Sequence, residues 1–217
     1  MSIEQYFKSL SRRALVASEL ENGDASVLSG QGGHPLCHSG ETWPEHEGSP
    51  LLTILTVDTR ELPFIPNFLK GTEYISLFIL QDEWSHTTED SSLVVRWYSE
   101  LPESTLEGGP ETEPRLALTF REVVDYPHPD VIDILLADQP ELEQEYDQRR
   151  DELAEAYPCH TGLKLGGYPY LVQDTAFLQE EDPDYEIQLD ATSFYSFADG
   201  GIGYVDRDLE SIHWETL

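Results

Sequence analysis

Two glycine pairs, each followed by a proline, set the plan of this chain. Gly32-Gly33-His34-Pro35 and Gly166-Gly167-Tyr168-Pro169 combine a permissive backbone turn with a fixed one, the chemistry that starts a strand from a tight bend. Each is followed by a strand-like run closing on aspartate, Thr53 to Asp58 in the first block and Tyr185 to Asp190 in the second. Asp58 lies 26 residues after Gly32, and Asp190 lies 24 after Gly166. The order and spacing recur, and neither half holds enough apolar strands to close a core, so the sequence predicts two related lobes.

Hydrophobic periodicity fills in the rest. Ile3, Phe7, Leu10, Ala14 and Ala17 recur three or four apart, which predicts an amphipathic helix over Ser2 to Leu20 that stops at Asn22-Gly23. Short β-branched and aromatic runs predict strands at Leu51 to Val57, Tyr74 to Leu80, Leu93 to Tyr98 and Arg115 to Phe120. Pro102 to Pro114, with Gly108-Gly109-Pro110 inside it, reads as a solvated loop. Helices are expected at Pro129 to Ala137 and Pro140 to Tyr157, the second opened by Pro140 and closed by Pro158. Strands return at Tyr185 to Leu189, Ser193 to Phe197 and Gly203 to Val205. The class is α+β with mostly antiparallel strands. One compact body spans 1–217, with a first β-rich lobe at 24–121, a helical connection at 122–158 and a second β-rich lobe at 159–217.

Charge narrows the function. Twelve basic residues face 43 acidic ones, a net charge of −31 and a pI near 4.2. The excess is −11 up to Gly108 and −20 beyond it. Such a surface repels free nucleic acid and attracts basic macromolecules at long range. Solubility alone is one bland explanation. Adaptation to high salt is another, suggested by three lysines (Lys8, Lys70, Lys164), but Glu outnumbers Asp and aromatics make up 11%. The first twenty residues contain no signal-peptide apolar core, and no apolar run approaches the ~20 residues of a membrane span. Two cysteines, Cys37 and Cys159, fit a reducing compartment. The expectation is a cytoplasmic protein.

The two blocks also carry a family resemblance. Gly32-Gly33-His34-Pro35, Trp43-Pro44, Gly48-Ser49-Pro50-Leu51 and Val57-Asp58, with Lys164-Leu165-Gly166-Gly167-Tyr168-Pro169 and Gln188-Leu189-Asp190, resemble the signatures of the YwqG-like family of bacterial proteins. Two positions depart from it, Thr56 in place of a glutamine and Leu171 in place of a tryptophan. The resemblance implies a compact α+β body of two quasi-equivalent halves without established catalytic chemistry. It also implies occupancy of toxin–immunity gene neighbourhoods by some members. The distantly similar programmed cell death protein 2 group looks like chaperones for a basic ribosomal protein.

The glycine pairs lack the Lys-Ser/Thr of a phosphate loop and the spaced glycines of a dinucleotide fold. Cys37-His38 and Cys159-His160 could compose a tetrahedral zinc site, but adjacent Cys-His spacing is foreign to zinc modules, and the sequence predicts small buried thiols instead. No base is fixed near either cysteine, and carboxylate pairs among 43 acids nominate no acid and base. The expectation is therefore no enzyme, no cofactor and no metal. Acidic loops beside aromatics are where a basic protein would dock: Glu180, Glu181, Asp182, Asp184 and Tyr185, and Asp82-Glu83. The leading functional expectation is an immunity protein that covers the basic active site of a toxin, a nuclease above all. The alternative is an acidic chaperone for a basic client.

Overall fold

The computed structural model describes residues 1–20, 26–80, 93–110, 115–172, 185–190 and 201–215. In chain order the elements are α1 (Ile3–Ser9), β1 (Arg12–Glu19), β2 (Gly30–Gln31), β3 (Leu36–Cys37), β4 (Glu45–His46), β5 (Ser49–Pro50), β6 (Leu52–Asp58), β7 (Tyr74–Ile79), β8 (Val94–Tyr98) and β9 (Ser104–Thr105). They continue with β10 (Leu116–Asp125), α2 (Pro129–Leu136), α3 (Pro140–Ala156), β11 (Lys164–Gly166), β12 (Tyr185–Asp190), β13 (Ile202–Asp206) and β14 (Ile212–Glu215). Ten strands form one curled, half-barrel sheet in the order β14-β13-β12-β11-β1-β10-β2-β6-β7-β8. Every neighbouring pair is antiparallel. The class is α+β, mostly antiparallel sheet with three helices among the described residues.

The long N-terminal helix of the sequence reading is corrected. Ser2 caps α1 with a full capping box, its hydroxyl accepting from Gln5 N while the Gln5 side chain accepts from Ser2 N, but the helix stops at Ser9. Arg12–Glu19 then becomes a central strand of the sheet. It pairs with β10 from Arg12↔Asp125 to Glu19↔Leu118 and with β11 at Ala14↔Gly166, Leu15↔Leu165 and Val16↔Lys164. Ala14, Leu15 and Val16 are buried in succession because both faces are covered: Leu15 joins the large core, whereas Ala14 and Val16 join Val123 opposite. Three consecutive apolar residues followed by Ala17 satisfy a helical period as well as a doubly buried strand, and long-range pairing decides between them.

The other predicted elements fall within a residue or two of their expected ends, except that β10 continues past the 121 boundary to Asp125. The solvated loop expected at Pro102 to Pro114 is corrected: it contributes β9, which pairs with β3, and Leu106, 1% exposed, packs into the core with Cys37 and Trp43, an apolar side chain buried among polar neighbours. The strand expected at Ser193 to Phe197 lies outside the described residues. The large core is built from Ile54, Leu55, Val57, Ile75, Leu77, Leu165, Ile187 and Leu189, every one of them at most 1% exposed. A second core, around Ile3, Phe7, Ile132, Tyr146 and Leu153, holds the three helices together. The Tyr6 hydroxyl donates to Leu135 O, and Tyr168 donates to Leu10 O, which ties α1 to α2 and to the chain after β11.

Candidate functional site

Three features converge where the helices meet the end of β11: a buried ion pair, a cavity and an acidic helix face. The ion pair links Lys164 and Asp125, both fully buried. Lys164 Nζ donates to Asp125 Oδ2 at 2.9 Å, to His160 O at 2.8 Å and to Tyr168 O at 2.5 Å, which uses all three of its donors. Asp125 also accepts from His160 N at 2.7 Å and from Tyr168 N at 2.8 Å. One carboxylate at the end of β10 thus clamps the chain before β11 and the glycine turn after it. Gly167, at φ +85°, lies against that carboxylate so closely that a Cβ there would collide with Asp125 Oδ2 and Ala14 Cβ. The glycine pair of the second block is required by this approach as well as by its turn.

The clamped segments wall a cavity of about 200 Å³. Pro158, Cys159 and Tyr170 close one side, Phe7 and Ile132 line it from α1 and α2, and Tyr146 and Ala154 from α3. Phe7 stacks on Tyr157 with ring centroids 4.8 Å apart. His128 meets Tyr170 edge to face at 5.1 Å, and its Nδ1 accepts from Asp130 N. Burial lowers the His128 pKa below its ordinary value, against the pull of the Asp130 carboxylate. The ring is therefore neutral at pH 7 and, with Nδ1 accepting, carries its proton on Nε2.

The sign of that shift gives a pH prediction. Below an ordinary histidine value of about 6.5, the unfolded chain takes up a proton that the folded His128 resists, so this residue's contribution is lost as pH falls through the depressed folded-state pKa. Thermal unfolding at neutral and mildly acidic pH measures it. Wild type is expected to lose more Tm than His128→Phe over that interval, and equal losses would contradict the assignment.

Cys159 lies in the cavity wall with its thiol donating to Pro169 O, and burial pushes its pKa up to about 12. Cys37 is packed with Trp43, Leu51, Phe78 and Leu106, and burial raises its pKa too. Both are thiols, not thiolates, at neutral pH. Among the described residues no group of three or more His, Cys, Asp and Glu is placed to hold a metal.

The third feature is α3. Its two arginines are already paired: Arg149 with Glu4 at 2.5 Å, Glu152 at 2.8 Å and Glu145 at 3.1 Å, and Arg150 with Asp133 at 2.8 Å. The Arg149 guanidinium holds the Glu4 carboxyl down to about 2. Left outside are Glu143, Asp147, Asp151 and Glu155, all exposed and spaced four apart, without an ion pair among the described residues. Like charges at that spacing repel by about 0.2–0.5 kcal/mol per pair, and the last two carboxylates oppose the helix dipole. The helix bends among them, with non-helical dihedrals at Arg149 (φ −128°).

Of the docking residues expected from sequence, Glu180, Glu181, Asp182, Asp184, Asp82 and Glu83 lie outside the described residues. Tyr185 is not an exposed aromatic. It opens β12 at 4% exposure, donates its hydroxyl to Gly166 O and stands edge to face with Tyr204. The alternation of Tyr185, Ile187 and Leu189 points it inward, a signal that the acidic residues before it masked. The α3 stripe was not among the expected docking residues; helical spacing, which brings every fourth residue onto one face, is the signal in the sequence that marks it.

A curled antiparallel sheet carrying a helical layer, with an acidic outer face and a buried Lys-Asp clamp, defines the class. A family model, "Domain of unknown function (DUF1963)", matches residues 29–211, and the chain belongs to that family. No curated protein matches it. No helix among the described residues is long and apolar enough to cross a membrane.

Proposed function

We propose that this chain is a protein-binding module that captures a basic macromolecule on the outer face of α3, and that it is an immunity protein acting on a basic toxin. The observation that carries the reading is the stripe of Glu143, Asp147, Asp151 and Glu155. It weakens its own helix, while the two cations of α3 are already engaged with other carboxylates. A feature that costs folding energy on an exposed surface is relieved when an opposite charge binds. A nuclease cleft built for phosphates supplies that charge, and an acidic inhibitor fills it as the polyanion would. The reading places the protein in the cytoplasm and the YwqG-like group, and it requires no cofactor and no catalytic residue.

The same reading takes the sheet as two equivalent lobes meeting at β1 and β10. Support comes from matching hydrogen bonds. Thr56 Oγ1 donates to Leu28 O, four residues before Gly32, and Gln188 Nε2 donates to Gly162 O, four before Gly166. Leu36 N, four after Gly32, donates to the Tyr74 hydroxyl, and Tyr170 N, four after Gly166, donates to Gln188 Oε1. Thr56 with Tyr74 thus performs the two tasks of one glutamine. The departure from family pattern at Thr56 is a repair within the fold.

Co-expression with a toxin encoded beside the chain tests the functional half. Cells are expected to survive with the wild-type protein and to die with a folded variant whose stripe is neutralised. Equal survival with both would remove α3 from the account, and killing despite soluble wild-type protein would end the immunity assignment.

A further inference from the structure

We propose that the cavity between the helices and the β11 segment is a binding site for a neutral, flat ring compound with one hydrogen-bond acceptor, which receives the Nε2–H of His128. Its volume, about 200 Å³, exceeds the ~150 Å³ of an apolar cavity that admits benzene, so a two-ring compound of about ten non-hydrogen atoms fits. The walls are chiefly ring faces and edges and aliphatic surface from Phe7, Ile132, Tyr146, Tyr157 and Tyr170, the lining expected of a small-molecule site with few polar groups.

The polar group is well defined. His128 Nδ1 accepts from Asp130 N at 3.4 Å, closer than the Asp130 carboxylate at 3.5 Å, which leaves Nε2 as the donor, without a partner among the described residues. The His128 side chain is 15% exposed. The charges acting on this ring are the carboxylates of Asp130, Asp133 and Glu215 against the single cation of Arg150. That balance disfavours anions. The cavity is also held in shape from behind: Tyr170 receives hydrogen bonds from Tyr204 at its carbonyl and donates its N–H to Gln188, and the Lys164–Asp125 clamp fixes the chain at His160 and Tyr168. Preformed walls lower the cost of ordering on binding.

Quinoline, naphthalene and 2-naphthoate serve as probes, titrated into the full chain and followed by calorimetry and by tyrosine fluorescence. Quinoline offers an acceptor, naphthalene has none, and naphthoate adds a negative charge. Quinoline is expected to bind, with His128→Phe weakening it about tenfold, the worth of one hydrogen bond, and leaving naphthalene unchanged. Ala154→Phe, at an exposed rim position, is expected to abolish binding of both without altering the fold. Naphthoate is expected to bind at least tenfold more weakly than quinoline. Unchanged quinoline affinity in His128→Phe, unchanged binding in Ala154→Phe, tighter binding of naphthoate, or no binding of quinoline would each overturn the proposal.

Discussion

Asp125→Ala is expected to remove about 3–5 kcal/mol of stability, the cost of leaving a buried charge without its partner. In a chain of this length, that corresponds to a Tm lower by about 10 °C. The carboxylate satisfies Lys164 Nζ, His160 N and Tyr168 N together, so its loss strands a buried ammonium, the buried Tyr168 N–H and the part-buried His160 N–H. Lys164→Met is expected to cost less, because Asp125 keeps the two N–H donors and the methionine fills the space with apolar volume. Isolated buried ion pairs are often replaced by apolar residues without loss, but here the double variant Asp125→Leu with Lys164→Met still strands the two N–H groups, so it should stay below wild type. Chemical denaturation of the three variants checks the order. A double variant as stable as wild type would reduce the clamp to an ordinary pair.

The clamp also marks how far the sequence could be read. The strands β6, β7 and β8 and the helices α2 and α3 were legible because their signals are local: β-branched runs such as Leu52–Asp58, and a proline at the first turn of each helix. Arg12–Glu19 was not legible, since its period suits a helix and only pairing with residues about a hundred positions away makes it a strand. Lys164 and Asp125 lie 39 residues apart, and nothing in their neighbourhoods joins them. A usable hint was available: one of only three lysines in the chain sits beside a glycine pair in an apolar strand, and a lysine there needs a buried anion. Tyr185 follows an acidic run but opens a buried strand, so the charge before it says nothing of where its ring packs. Of the two cysteines expected to be buried thiols, Cys37 is buried in the core around Trp43, whereas Cys159 is only partly buried against Pro169.

Neutralising the stripe is the second large effect expected. The variant Glu143→Gln, Asp147→Gln, Asp151→Gln, Glu155→Gln removes like-charge pairs and replaces two aspartates by a better helix former. Its thermal stability is therefore expected to equal or exceed that of wild type. Affinity for a basic partner at low salt is expected to fall about 100-fold, mostly through slower association, as for charges that steer encounter. Opposite signs in the two measurements separate a binding surface from a structural one. A stripe kept for solubility alone would leave affinity untouched, and one with a structural purpose would lower Tm when removed.

The dissociation constant for a basic protein captured from the native host, measured from about 0.01 M to about 1 M ionic strength, tests the central claim most directly. Wild type should bind tightly at the low end and weaken steeply with salt, whereas the neutralised variant should start weak and change little. Two parallel salt curves, or no cationic protein captured at all, would contradict the account.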